Sequence, residues 1–104
     1  MAFHQEPTQY IKTALSDLQG AWGNLRSSVV DAVPFPEWQR LLFHIDEAMS
    51  WESVRNLESM RKALILIQNI VNQYSCPEAV REGVQMVRDD FDEVLGAIAE
   101  GERI

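Results

Sequence analysis

The sequence predicts an all-α fold, an antiparallel four-helix bundle with one short helix. Apolar residues recur at spacings of three and four along most of the chain, and no window shows the alternating pattern of a β-strand. Prolines, which helices accept in their first turn but not in their interior, occur at positions 7, 34, 36 and 77. The predicted helices cover about residues 7–32, 36–49, 51–74 and 76–99, in a single domain that spans residues 1–104.

The first predicted helix runs from about Pro7 to Ala32. Its apolar residues keep the spacing of a seam between packed helices, and they are Ile11, Leu15, Leu18, Trp22, Leu25, Val29 and Ala32. Gly20 and Gly23 fall inside this helix, and each weakens it by about 1 kcal/mol relative to alanine. Because the seam continues across both glycines, we expect one continuous helix. A kink or a close backbone contact at the glycines is the alternative.

A shift in the apolar phase separates the second predicted helix from the third. The stripe of the second helix consists of Trp38, Leu42, Ile45 and Met49. The next positions in that phase are Glu52, Asn56 and Ser59, and the apolar phase resumes instead at Leu57. We therefore expect a break near Ser50, which is a suitable N-cap for the third helix. The alternative is that the second helix continues into the third and forms a long hairpin.

The third predicted helix is apolar on nearly every side. Between Ala63 and Val71 only Gln68 and Asn69 are polar. Such a helix must be covered by its own neighbours, by a second copy of the chain or by a partner. At 1.5 Å per residue the second helix is roughly 21 Å long and the third roughly 36 Å, so the second is too short to cover it. We therefore expect an apolar groove that another chain fills.

The fourth predicted helix begins with a capping-box pattern. Ser75 and Glu78 have the Ser-x-x-Glu spacing, with Pro77 between them in the first turn. The helix carries one apolar stripe, which consists of Val80, Val84, Val87, Phe91, Val94 and Ile98. Charged residues fill the remaining faces. This pattern is typical of a surface helix with one buried side.

The net charge of −7 limits the classes of partner. An acidic chain repels phosphate backbones, so we expect neither nucleic-acid binding nor binding to an anionic membrane. The excess of acid is concentrated at the end of the chain, because residues 78–104 have a net charge of −5 and residues 1–77 a net charge of −2. Partners with a basic or an apolar surface are expected.

Cysteine content and the start of the chain bear on location. Cys76 is the single cysteine, which excludes an internal disulfide bond and fits a reducing compartment. The first residues have neither the basic nor the apolar region of a signal peptide, and no apolar run approaches the ~20 residues that cross a bilayer. We expect a cytoplasmic protein.

The sequence contains no specific motif for catalysis, metal, cofactor or nucleotide binding. His44 and Glu47 share a helix face, but a bundle metal site needs further ligands from facing helices. Cys76 lies near the start of a helix, where the positive end can lower the pKa of a thiol, yet no acid–base partner is identifiable. The acidic run 89–93 reads as a solvated face or as a recognition surface for a basic partner. We expect a protein that is not an enzyme and holds no cofactor or metal.

Contact with another protein is therefore the predicted function. We expect a homodimer that acts as a small regulator, inhibitor, immunity protein or chaperone by occluding a partner surface. The predicted partner-binding residues are Trp38, Phe43, Trp51, Asp89, Asp90, Asp92 and Glu93. Phe43 lies off the apolar stripe of its helix and is expected to point away from the core. The alternative is a ligand-sensing bundle that holds a small molecule between helices, near Trp22, Met60 or Tyr74.

Overall fold

A computed structural model describes residues 9–102, and these residues form four α-helices and no strand. The helices are α1 (Gln9–Ala32), α2 (Trp38–Ser53), α3 (Leu57–Gln73) and α4 (Glu78–Glu102). This arrangement confirms the predicted all-α four-helix fold. The prolines at 34, 36 and 77 all lie between helices, as their missing N–H groups require, while the predicted start at Pro7 lies outside the described residues.

Two antiparallel helix pairs make up the bundle. The long helices α1 and α4 pack against each other, as do the shorter helices α2 and α3, which form a hairpin. The hairpin contacts the long pair mainly through α1 and α2, whereas α3 and α4 meet least. At 1.5 Å per residue the long helices measure roughly 36–38 Å and the hairpin roughly 24–26 Å, so the hairpin covers only part of the long pair. The bundle is elongated, with extents of 55 × 20 × 20 Å.

The core follows the predicted stripes of α1 and α4. Fully buried large side chains come from all four helices, and they are Leu18, Trp22, Leu25, Val29, Leu41, Ile45, Met60, Ile67, Val80, Val87 and Val94. Helix α1 is continuous across Gly20 and Gly23, and a methyl group at either position would meet nothing within 4 Å. The predicted continuous first helix is confirmed, and neither glycine makes a close contact.

The boundary between α2 and α3 lies later in the chain than predicted. Helix α2 continues through Ser50 to Ser53, so the predicted break and N-cap at Ser50 are wrong. The cap of α3 is Asn56, whose side chain accepts a hydrogen bond from the backbone N–H of Ser59 at 3.0 Å. The reversal is completed by Arg55 in the left-handed conformation, with a φ of 59°. Helices α2 and α3 are thus separate, and at 16 and 17 residues they are nearly equal in length. The expectation that the second helix is too short to cover the third is therefore wrong, because residues 51–53 belong to α2 and α3 begins only at Leu57.

The predicted capping box of the fourth helix does not form. Helix α4 begins at Glu78, and the carbonyl of Pro77 accepts hydrogen bonds from the N–H groups of Val80 and Arg81 at 3.0 and 3.1 Å. Pro77 therefore precedes the first turn, and the Ser75 side chain forms no hydrogen bond within the described part of the chain. The turn is held instead by Arg81, which donates to the carbonyls of residues 74 and 76.

Candidate protein-binding surface

Phe43 is the most exposed of the predicted aromatic site residues. It lies on the solvent side of α2 with 64% of its surface accessible, as its position off the apolar stripe predicts. Its ring meets the ring of His44 edge-on, with centroids 5.3 Å apart. The ring of Phe43 therefore has one aromatic neighbour and otherwise remains open to solvent.

An ion pair between α1 and α2 sets the surroundings of Phe43. Arg26 Nε donates to Asp46 Oδ1 at 2.7 Å. Because the five-residue connection 33–37 joins the two helices as antiparallel neighbours, Val30, one turn beyond Arg26, lies across from the turn that holds Leu42 and Phe43. Val30 is 45% exposed and Leu42 is half-buried. We call Val30, Leu42 and Phe43, the apolar side chains that reach solvent near the connection between α1 and α2, the seam patch.

The two predicted tryptophans, Trp38 and Trp51, contribute unequally to this surface. Trp38 is half-buried and packs against the core, one turn before Leu42 on α2. Trp51 is partly exposed but lies eight residues after Phe43, which is roughly 12 Å along the helix and roughly 80° around it. Trp51 and Phe43 therefore face different directions, and the predicted aromatic site is divided.

Helix α3 also presents apolar side chains to solvent. Ile65 and Leu66 are 45% and 43% exposed, in accordance with a helix that is apolar on nearly every side. Its buried face consists of Met60, Ala63, Leu64, Ile67, Ile70 and Val71. The hairpin α2–α3, residues 38–74, carries as many basic as acidic residues, so its exposed apolar side chains lie on a part of the molecule without net charge.

The predicted acidic residues lie on α4. Asp89, Asp92 and Glu93 are exposed and Asp90 is half-buried. Burial raises the pKa of Asp90, and the negative charges of Asp17, Glu93 and Asp89 raise it further. Asp17 belongs to α1, so carboxylates of two helices are crowded at this point.

The acidic face and the seam patch lie far apart on the bundle. Asp17, which marks the acidic face on α1, and Val30, which belongs to the seam patch, are 13 residues apart, or roughly 20 Å along the helix. This separation exceeds the Debye length of about 8 Å at physiological ionic strength. The seven predicted residues therefore do not form one surface: the four acidic residues lie apart from Phe43, and Trp51 faces a different direction from Phe43. Val30 was not among them, although its position off the α1 seam is the pattern that identified Phe43.

The structure also shows the surroundings of His44, Glu47 and Cys76, the residues considered for metal binding and for a reactive thiol. His44 Nδ1 lies 3.2 Å from Glu47 Oε1, and no group of three potential metal ligands occurs in the described part of the chain. Cys76 is half-buried, and its burial raises the pKa of the thiol, an effect that Arg81 opposes in part. The structure therefore disfavours the activation of Cys76 by the start of α4.

A polar cleft lies between α3 and α4, the pair of helices with the least contact. It has a volume of about 200 Å³ and is lined by Gln68, Val71, Asn72, Arg81, Val84, Gln85 and Arg88. None of the residues expected to line a ligand pocket contributes to it. Trp22 and Met60 are buried in the core instead, and Tyr74 is the partly exposed C-cap of α3.

Two further findings concern the described helices and the similarity of the chain to known proteins. Among the helices of residues 9–102, none combines the length and the apolar run that a bilayer crossing requires. A search of known protein families, of characterised proteins and of solved structures found no match to this chain.

Proposed function

We propose that this protein acts by binding another protein, as a small non-enzymatic regulator, inhibitor, immunity protein or chaperone that occludes a partner surface. The observation that carries the proposal is the 64% exposure of Phe43 within the seam patch. Transfer of a phenylalanine side chain from water to an apolar contact contributes roughly 1.5–3 kcal/mol. Aromatic side chains surrounded by smaller apolar contacts are typical anchors of protein interfaces.

The charge distribution supports a division of roles between the two surfaces. Residues 38–74 have no net charge, whereas α4 carries eight acidic residues and two arginines. The seam patch supplies the apolar contact, and the acidic face of α4 attracts a basic partner and repels an acidic one. Because the two surfaces are separated by roughly 20 Å along α1, the acids act on approach and need not touch the docked partner.

Self-association through the same patch is part of the proposal. In a twofold dimer each copy contributes the same surface, so seam patch packs on seam patch. Two hairpins without net charge meet without the repulsion that two α4 faces would produce. We therefore propose a cytoplasmic homodimer whose dissociation exposes Phe43 to the partner.

The test is an affinity capture from lysate of the source or host with the wild-type protein and Phe43→Asp, combined with analytical ultracentrifugation of each. We expect the wild type to form a dimer and to retain one stoichiometric partner at high salt. Phe43→Asp should lose both, because an aspartate cannot be buried without a charge partner. Circular dichroism should show unchanged helicity, since Phe43 contributes little to the core.

Val54→Asp is the matched control, because Val54 is 65% exposed and lies outside the seam patch, at the end of α2. It should leave dimerisation and capture unchanged. Equal loss in both variants would show that any added acid disrupts association and would contradict a site at Phe43. Capture that persists in Phe43→Asp would also contradict the proposal.

A further inference from the structure

The cleft between α3 and α4 differs in charge from the helix that forms its wall. Helix α4 carries eight acidic residues and two arginines, so its net charge is −6. Both arginines, Arg81 and Arg88, line the cleft, and none of the described acidic residues of α4 does. The charged side chains of α4 that line the cleft are therefore basic, although the helix as a whole is acidic and Gln85, which also lines the cleft, donates from its amide to Asp89 Oδ1 at 2.9 Å.

Arg81 is held in place by the turn before α4. Its Nε donates to the carbonyl of Cys76 at 3.3 Å and its Nη2 to the carbonyl of Tyr74 at 3.5 Å. A guanidinium has five N–H donors, so further donors remain for a ligand. The two backbone contacts fix the side chain at the mouth of the cleft, and fixed donors lose less entropy when a ligand binds.

Arg88 has no hydrogen-bond or ion-pair partner within the described part of the chain. It lies seven residues after Arg81, which is two turns or roughly 10 Å along the same face of α4. The amides of Gln68 and Asn72 lie on the opposite wall, on α3. Val71 and Val84 lie at the base of the cleft but are each only 5% exposed, so the surface offered to a ligand is mainly polar.

We infer that this cleft binds a small organic anion, in which a phosphate or carboxylate group pairs with Arg88. Guanidinium groups bind such oxyanions through two parallel hydrogen bonds. The volume of about 200 Å³ lies below the roughly 300–1,000 Å³ of sites for drug-sized ligands, so the ligand has the size of a simple metabolite. This site is independent of the seam patch, and the inference does not rest on the proposed protein-binding function.

The test is a titration of the ¹⁵N-labelled protein with phenyl phosphate, followed by NMR in a low-salt buffer without phosphate. We expect saturable shifts confined to the backbone amides around residues 68–72 of α3 and 81–88 of α4. Benzoate in a parallel titration distinguishes carboxylate from phosphate as the preferred group, and either one binding here supports the inference. Benzyl alcohol, which has the apolar body without the charge, should not bind.

The key variant is Arg88→Gln, which removes the charge and keeps a polar side chain. It should weaken phenyl phosphate binding at least about tenfold, as expected for a lost charge-assisted hydrogen bond. Arg61→Gln is the matched control, because Arg61 is an exposed arginine of α3 that does not line the cleft. The affinity of Arg61→Gln for phenyl phosphate should equal that of the wild type. The amide spectrum of each variant reports whether the fold is intact.

Three results would overturn the inference. The first is equal weakening by Arg61→Gln, or shifts scattered over all basic residues, either of which indicates non-specific ion association. The second is benzyl alcohol binding as tightly as phenyl phosphate, since the charge that pairs with Arg88 would then contribute nothing. The third is the absence of saturation at about 10 mM for both phenyl phosphate and benzoate, an affinity too weak for a metabolite site.

Discussion

Replacing Gly83 with alanine tests how closely α1 and α4 approach. A methyl carbon at this position would lie 3.0 Å from Leu25 Cδ1, 3.4 Å from Leu25 Cα and 3.5 Å from Leu25 Cβ. The normal separation of carbon atoms in contact is about 3.5–4.0 Å. Leu25 is fully buried, so its side chain cannot move into solvent to make room. The substitution therefore forces either a new rotamer of Leu25 or a small separation of the helices.

Two opposing effects determine the change in the free energy of unfolding. Alanine is more favourable than glycine inside a helix by about 1 kcal/mol. Extra volume in a packed core costs about 1–3 kcal/mol. We expect Gly83→Ala to lie between no net change and a destabilisation of about 2 kcal/mol. A methyl group at Gly96 of the same helix would meet nothing within 4 Å, so Gly96→Ala should stabilise the protein by about 1 kcal/mol.

The measurement is thermal and urea unfolding of both variants, followed by far-ultraviolet circular dichroism. The free energies of unfolding of the two variants should differ by about 1–3 kcal/mol. For a domain of this size, that difference separates their Tm values by at least about 4 °C. Equal stabilisation by the two alanines would refute the reasoning, because it would mean that α4 does not approach Leu25 at Gly83.

Three further predictions concern a carboxylate, a helix cap and a thiol. Because the pKa of Asp90 is raised in the fold, the folded state holds this proton to a higher pH than the unfolded chain, and stability falls as the pH rises through the raised value. Asp90→Asn should therefore raise the Tm at pH 7 and have no such effect below the ordinary pKa of 3.8, as calorimetry across this range would show. Asn56→Ala removes the cap of α3 and should lower the free energy of unfolding in urea by about 1 kcal/mol. Ser50→Ala changes the residue that the sequence predicts as the cap, and it should change stability by less than about 0.5 kcal/mol. Alkylation of Cys76 by iodoacetamide should reach half its maximal rate above pH 9.0, because burial raises the pKa of the thiol, and a midpoint below that value would contradict the assignment.

The sequence contained enough information to predict four helices and the buried stripes of α1 and α4. These properties follow from local chemistry, since an apolar stripe on a helix must be covered and proline interrupts the helical hydrogen bonds. The exposure of Phe43 was predictable for the same reason, because its angular position relative to Leu42 and Ile45 depends only on helix geometry.

The end of α2 was not predictable in this way. Glu52 falls in the apolar phase of α2, and because carboxylates are rarely buried, the sequence predicts an interruption of the helix there. In the structure Glu52 is a buried residue of α2, with its carboxylate 3.5 Å from Arg55 at the following turn. That neighbouring charge makes the burial of Glu52 tolerable and moves the break to Asn56.

What the sequence determined by itself is therefore the set of helices and the face that each one buries. The tertiary structure decided how those faces are combined. The register between α1 and α2 pairs Arg26 with Asp46, and the register between α1 and α4 places Asp17 beside Asp90, at a distance from the seam patch. The weak contact of α3 with α4 leaves the cleft that Arg81 and Arg88 line. Helix periodicity fixes the direction of a side chain about its own axis, whereas the neighbour it meets depends on the offset between helices, which the packing of the complete core determines.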